Sequence, residues 1–171
     1  DWFPANESDR RPADSYDRQH WFDAVGDECR HVASHAGILE LTGFSRFHVT
    51  GDDADEWLTT QITGNMPHVG RIGLAYFASP KGKILTEMTV TRLAENDFLL
   101  MTGAGAYWHD RDLLMANLPA DGLVTINDVT RNLATLLVTG PKAPAILGDM
   151  TGQSMMHDDF AWLSHRKIDL A

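Results

Sequence analysis

The stretch from residue 71 to residue 101 most constrains what this chain can fold into. Residues 71–79 are strand-like, and Ile84-Leu85-Thr86-Glu87-Met88-Thr89-Val90-Thr91 alternates with the period of a half-buried strand. Ser79-Pro80-Lys81-Gly82 is a turn between them, and Glu95-Asn96-Asp97 turns the chain again into Phe98-Leu99-Leu100-Met101. Connections this short join antiparallel neighbours, because a parallel crossover needs a dozen residues or more. Helical patterns occur on both sides of this meander. The expected class is therefore α+β: an antiparallel sheet meander with flanking helices.

Residues 1–19 are polar, hold Pro4 and Pro12 and show no apolar period, so they are expected to form an extended arm or linker before a domain over 20–171. From His20 the pattern is helical, with Trp21, Phe22, Val25, Cys29 and Val32 at three- and four-residue steps, and Gly37 ends it. That spacing predicts a buried, unreactive Cys29. Strands are expected at 38–41 and 46–49. A helix after Thr50-Gly51-Asp52-Asp53 should bury Ala54, Trp57, Leu58 and Ile62. Its leading acids suit the positive end of a helix dipole and need no metal to explain them. Beyond the meander, a helix over about 106–118 should bury Trp108, Leu113, Leu114 and Leu118. Strands at 123–126 and 134–138, a helix opening at Gly140-Pro141, and a final strand-like run at 162–170 complete the pattern.

Composition serves mainly to exclude. With 43% hydrophobic and 22% charged residues, the 171-residue chain has ordinary globular usage and enough length for one sizeable core. Its 24 acidic against 14 basic residues give a net charge of −10, which disfavours nucleic acid, and no polybasic patch or membrane-length apolar run is present. The lone Cys29 excludes an internal disulfide and fits a reducing compartment, so a cytoplasmic location is expected, or the mitochondrial matrix in a eukaryote. The opening Asp1-Trp2-Phe3-Pro4 has no initiator methionine, as in a piece of something longer.

Few residues point to chemistry on their own. His31 and His35 share a helix face, but Val32 stands where the zinc-protease pattern needs glutamate, so they read as helix-end histidines and no metal is expected. Thr102-Gly103-Ala104-Gly105 follows a strand and precedes a helix, yet Trp108 replaces the third glycine of a dinucleotide fingerprint, and the strand belongs to an antiparallel meander. Those glycines instead suit a close backbone approach to neighbouring chain or to a flat ligand. Nucleophile elbows and P-loops are absent from the sequence. Glu87 lies mid-strand. It is either the outward half of an alternating pattern or a carboxylate placed for proton transfer to or from a nitrogen.

Three stretches together resemble the folate-binding fold of the glycine-cleavage T-protein (aminomethyltransferase) family: Val49-Thr50-Gly51-Asp52-Asp53-Ala54, Gly82-Lys83-Ile84-Leu85-Thr86-Glu87-Met88-Thr89-Val90 and Leu137-Val138-Thr139-Gly140-Pro141-Lys142-Ala143. The resemblance runs from about Trp21 to the end of the chain and implies the N-terminal half of that fold. The segments 1–3, 21–30, 69–74 and 89–95 are more similar still to the C-terminal folate domain of the dimethylglycine and sarcosine dehydrogenases. That implies a flavin (FAD) portion before Asp1 and the rest of the folate domain after Ala171. In such enzymes the flavin oxidises an N-methyl amine to an iminium, and tetrahydrofolate traps the one-carbon unit. By motif, Glu87 takes the place of the family's catalytic acid, usually aspartate. Phe44, Leu74, Thr89, Thr91 and Gly103 match positions that line the cofactor site, although the family often has tyrosine at the Leu74 and Thr91 positions and asparagine at Gly103. A stand-alone aminomethyltransferase, a folate-dependent demethylase and a non-catalytic folate-fold binding module remain open.

Overall fold

The computed structural model describes residues 16–169. In chain order its elements are α1 (Phe22–Ser34), β1 (Gly37–Glu40), β2 (Ser45–Thr50), α2 (Ala54–Gln61), β3 (Ile62–Thr63), β4 (Ile72–Ala78), β5 (Ile84–Ala94), β6 (Asp97–Thr102), α3 (Tyr107–Ala116), β7 (Thr125–Asp128), β8 (Leu136–Thr139) and α4 (Ala143–Thr151). The class is α+β, as expected. Two compact units are present: residues up to Leu39 with Leu137–Met155, and Glu40–Leu136 with the stretch from Met156. Most of the expected arm over 1–19 lies outside the described residues.

The larger unit is built on an antiparallel six-stranded sheet in the order β3-β4-β5-β6-β2-β7. The meander forms its middle. Its first turn closes with Ser79 N–H to the Lys83 carbonyl and Gly82 N–H to the Ser79 carbonyl, both 2.8 Å, and Gly82 takes φ +73°, which costs a residue with a Cβ far more than glycine. After the second turn the chain returns as β6, whose far edge pairs with β2 from Ser45↔Thr102 to Thr50↔Asp97.

Alternation along these strands separates two faces. Phe47, Val49, Ala75, Phe77, Met88, Val90, Phe98 and Leu100 fall on one, none more than 3% exposed, and join a core with Ala54, Trp57 and Leu58 of α2 and Leu114 of α3. Each fully buried Leu, Val or Phe stabilises by roughly 1.5–3 kcal/mol, so this face dominates the unit's stability. Gly51 (φ +128°) lets the chain leave β2 for α2 against the backbone at Leu123, where a Cβ would collide with the Leu123 carbonyl. Arg46, only 1% exposed, is held by the Thr42 and Thr130 carbonyls and the Thr135 hydroxyl, which satisfies a cation that burial would otherwise make costly.

The smaller unit holds α1, α4 and most of the two-stranded sheet formed by β1 and β8. Lys142 N–H bonds the His35 carbonyl at 2.8 Å, tying the start of α4 to the end of α1.

Several expectations are corrected. Cys29 is exposed: no residue of α1 is fully buried, and Val25 and Val32 are themselves only half-buried. Trp108 is 69% exposed, because α3 buries Asp110 and Leu114, and residue 108 lies about 200° round the helix from Asp110. Ile62 is buried as expected, but in β3 rather than in α2. β7 and β8 each begin two residues later than expected. Helix α4 starts at Ala143, so Pro144, not Pro141, occupies its first turn. The run 162–169 is not a strand. One bridge pairs Arg71 with Ser164, and Leu163 adopts φ +56°, which interrupts an extended path.

Candidate functional site

The face of the sheet opposite the core gathers the residues singled out by sequence. Along β5, Met88 and Val90 turn into the core, so Glu87, Thr89 and Thr91 point the other way. The β4–β5 register sets Tyr76 opposite Glu87, Leu74 opposite Thr89 and Ile72 opposite Thr91, and β6 adds Met101 and Leu99 opposite Thr89 and Thr91. Directly opposed residues stand about 4.5–5.5 Å apart between Cβ atoms, so these side chains form one surface.

Gly103 follows β6 in an extended conformation (φ −65°, ψ 139°). The β5–β6 pairing ends at Thr89↔Met101, and continuing its register two steps would set Gly103 level with Glu87. One step beyond Ser45↔Thr102, it brings Phe44 beside Gly103. Leu74, Glu87, Thr89 and Thr91 thus lie on the neighbouring strands β4 and β5, while Phe44 immediately precedes β2 and Gly103 immediately follows β6. Leu74 and Glu87 are exposed, whereas Thr89, Thr91 and Phe44 are half-buried.

Tyr76 is the residue that sequence reasoning missed. The Glu87 carboxylate beside its hydroxyl, as acceptor first and as a charge second, and then burial push the phenol above its usual pKa. Tyr76 therefore stays a neutral donor beside a negative charge. Its signal was present in the alternation, since residues 74 and 76 share a strand face, but pairing with Glu87 needed the register. On the same face His48 and Asp97 form a half-buried hydrogen-bonded pair, Nε2 to Oδ1 at 2.6 Å. At the sheet's end Thr102 donates to the fully buried Asp110 at 2.6 Å, pinning the start of α3 to the end of β6. No group of three or more metal-ligating side chains occurs among the described residues; His31 and His35 stack with ring centroids 4.8 Å apart. No helix among the described residues is long and apolar enough to cross a membrane.

An exposed face of hydroxyls, apolar side chains and one carboxylate can take a flat, partly polar ring against it and accept a hydrogen bond from a ring nitrogen.

Comparison with known proteins agrees with this architecture. The chain is 30% identical over 173 residues to mitochondrial dimethylglycine dehydrogenase of Rattus norvegicus, an alignment covering 99% of this chain and 20% of that protein. It is 29% identical over 154 residues to the sarcosine oxidase alpha subunit of Corynebacterium sp. (strain P-1), covering 86% of this chain and 16% of that one. The crystal structure of glycine cleavage system aminomethyltransferase T from Bartonella henselae superposes with a TM-score of 0.65 at 25% identity, over 81% of this chain and 37% of that one. The chain thus spans about a fifth of the length of these curated relatives. The GCVT N-terminal domain matches over residues 1–171, and the chain belongs to that family.

Proposed function

We propose that this domain holds tetrahydrofolate against the open face of its six-stranded sheet, as the one-carbon-accepting part of a longer enzyme that oxidises an N-methyl amine. The supporting observation is the convergence on that face of Glu87, Tyr76, Leu74, Thr89 and Thr91, with Gly103 at the same end. The residues present suit the cofactor. Leu74, Met101 and Leu99 offer apolar contact to a bicyclic ring, Thr89 and Thr91 offer hydroxyls, and Gly103 has no heavy atom within reach of an added Cβ. When bound, tetrahydrofolate supplies a nucleophilic nitrogen that accepts the one-carbon unit.

The chain's own contribution follows from Glu87 and Tyr76. The Glu87 carboxylate accepts an N–H hydrogen bond or a proton, and the Tyr76 hydroxyl fixes its orientation by donating to it. Thr89 and Thr91 orient the ring, and Leu74 shields one side of it from water. FAD, the amine substrate and the oxidation step belong on this reading to parts of the enzyme outside this chain, in the cytoplasm or the mitochondrial matrix. A binding module is the second reading. It is favoured by Leu74, Thr91 and Gly103 standing where the resembled family often has tyrosine and asparagine.

The test separates the two half-reactions in the intact polypeptide. Glu87→Gln should leave amine-dependent flavin reduction nearly unchanged by stopped flow and lower folate product by at least about tenfold, the cautious end of what a general acid–base group contributes. Glu87→Asp should retain more activity, since it keeps the ionisable group. Equal folate product from wild type and Glu87→Gln would remove Glu87 from the mechanism and leave the binding module standing.

A further inference from the structure

The larger unit has a groove of about 500 Å³ that none of Glu87, Leu74, Thr89 or Thr91 lines. Its walls include Ser45, Tyr107, Trp108, Asp128, Thr130 and Arg131. Asp128 is already engaged: Oδ2 accepts the Tyr107 hydroxyl at 2.6 Å and Oδ1 accepts the Thr130 N–H at 2.9 Å. Arg131, the next residue in the wall, is exposed and has no acidic partner among the described residues, whereas Arg30, Arg92 and Arg111 pair with Asp27, Asp55 and Asp112. In a chain with ten more acids than bases, an unpaired arginine at a groove is a cation left open to an outside anion.

Two further features fit an anion attached to a ring. Ser45 is 1% exposed and lines the groove, where its hydroxyl can donate to a bound acceptor. Trp108 is 69% exposed, meets Tyr107 edge-to-face at 4.8 Å and carries the Arg111 guanidinium 5.9 Å from its ring centroid, giving the groove an aromatic wall.

We propose that this groove binds a small aromatic carboxylic acid, with Arg131 and Ser45 holding the carboxylate and the Tyr107–Trp108 pair holding the ring. Gly43, Ser45 and Ala104 in the groove wall flank Phe44 and Gly103, but Glu87, Leu74, Thr89 and Thr91 do not line it, and the proposal does not require the folate reading to be right.

The test uses calorimetric titration of the intact polypeptide with 4-aminobenzoate as probe and uncharged 4-aminobenzamide as control. Binding of the acid is expected to exceed that of the amide, to weaken with added salt, and to weaken about tenfold or more in Arg131→Gln, in line with loss of a charged hydrogen bond. Arg131 is exposed, so that variant should fold normally, and thermal unfolding verifies it. Trp108→Ala should also weaken the probe, whereas Glu87→Gln should not, which separates this proposal from the folate site. No measurable binding, equal binding of acid and amide, or unchanged affinity in Arg131→Gln would overturn it.

Discussion

The two faces of the six-stranded sheet are made by the same strands, residue by residue, and have opposite fates. Phe98 and Leu100 are fully buried, while Leu99 and Met101 between and beyond them are not. On β5, Met88 and Val90 are buried, and Glu87, Thr89 and Thr91 are left at the surface. One face holds the unit together. The other keeps a carboxylate, a phenol and two hydroxyls near apolar side chains, at little expense to stability because water still reaches them. Function can therefore be placed on the open face without weakening the fold, and changes there should act on binding while changes on the core face act on folding.

The largest expected effect tests that division directly. Phe98→Ala should destabilise by about 3–5 kcal/mol, the usual range for truncating a fully buried aromatic side chain. Leu74→Ala, on the exposed face, should stay within about 0.5 kcal/mol. Denaturant unfolding of both variants makes the measurement, and similar losses would break the comparison.

A smaller effect sharpens it. The chain's three tyrosines are Tyr16, Tyr76 and Tyr107, and the last two are held above the ordinary phenol pKa, Tyr76 by Glu87 and Tyr107 chiefly by its hydrogen bond to Asp128. A raised folded pKa means that the Tyr76–Glu87 contact contributes its stability below about pH 10 and loses it as pH rises through the folded value. Glu87→Gln should bring one tyrosine, Tyr76, down toward the ordinary value in an ultraviolet titration. Tyr107 should titrate as before. An unchanged titration curve would mean that Tyr76 and Glu87 do not interact.

The smallest effect lies in the other unit. Cys29 is exposed on α1, so thiol reagents should label it rapidly under native conditions, and Cys29→Ser should change stability by less than about 0.5 kcal/mol. Slow labelling would show that α1 is covered in the intact polypeptide.

The meander was legible in the chain because its causes are local. Period-two alternation from Ile84 to Thr91 and the turns at Ser79–Gly82 and Glu95–Asp97 each lie within a few residues, and together they imply both the antiparallel pairing and which side chains are buried. The candidate residues were legible to the extent that resemblance names positions: Leu74, Glu87, Thr89 and Thr91 lie on the adjacent strands β4 and β5, and Phe44 and Gly103 just outside β2 and β6. The rest was decided by contacts between distant segments. That β2 lies beside β6 with β7 outside it, that Tyr76 meets Glu87, and that Arg46 is buried among Thr42, Thr130 and Thr135 all depend on pairings across tens of residues, which no local period encodes. Cys29 and Trp108 show the same limit from the other side. A helical period says which residues share a face, but only the tertiary structure decides whether anything packs against it, because burial is a property of two surfaces and the sequence pattern describes one.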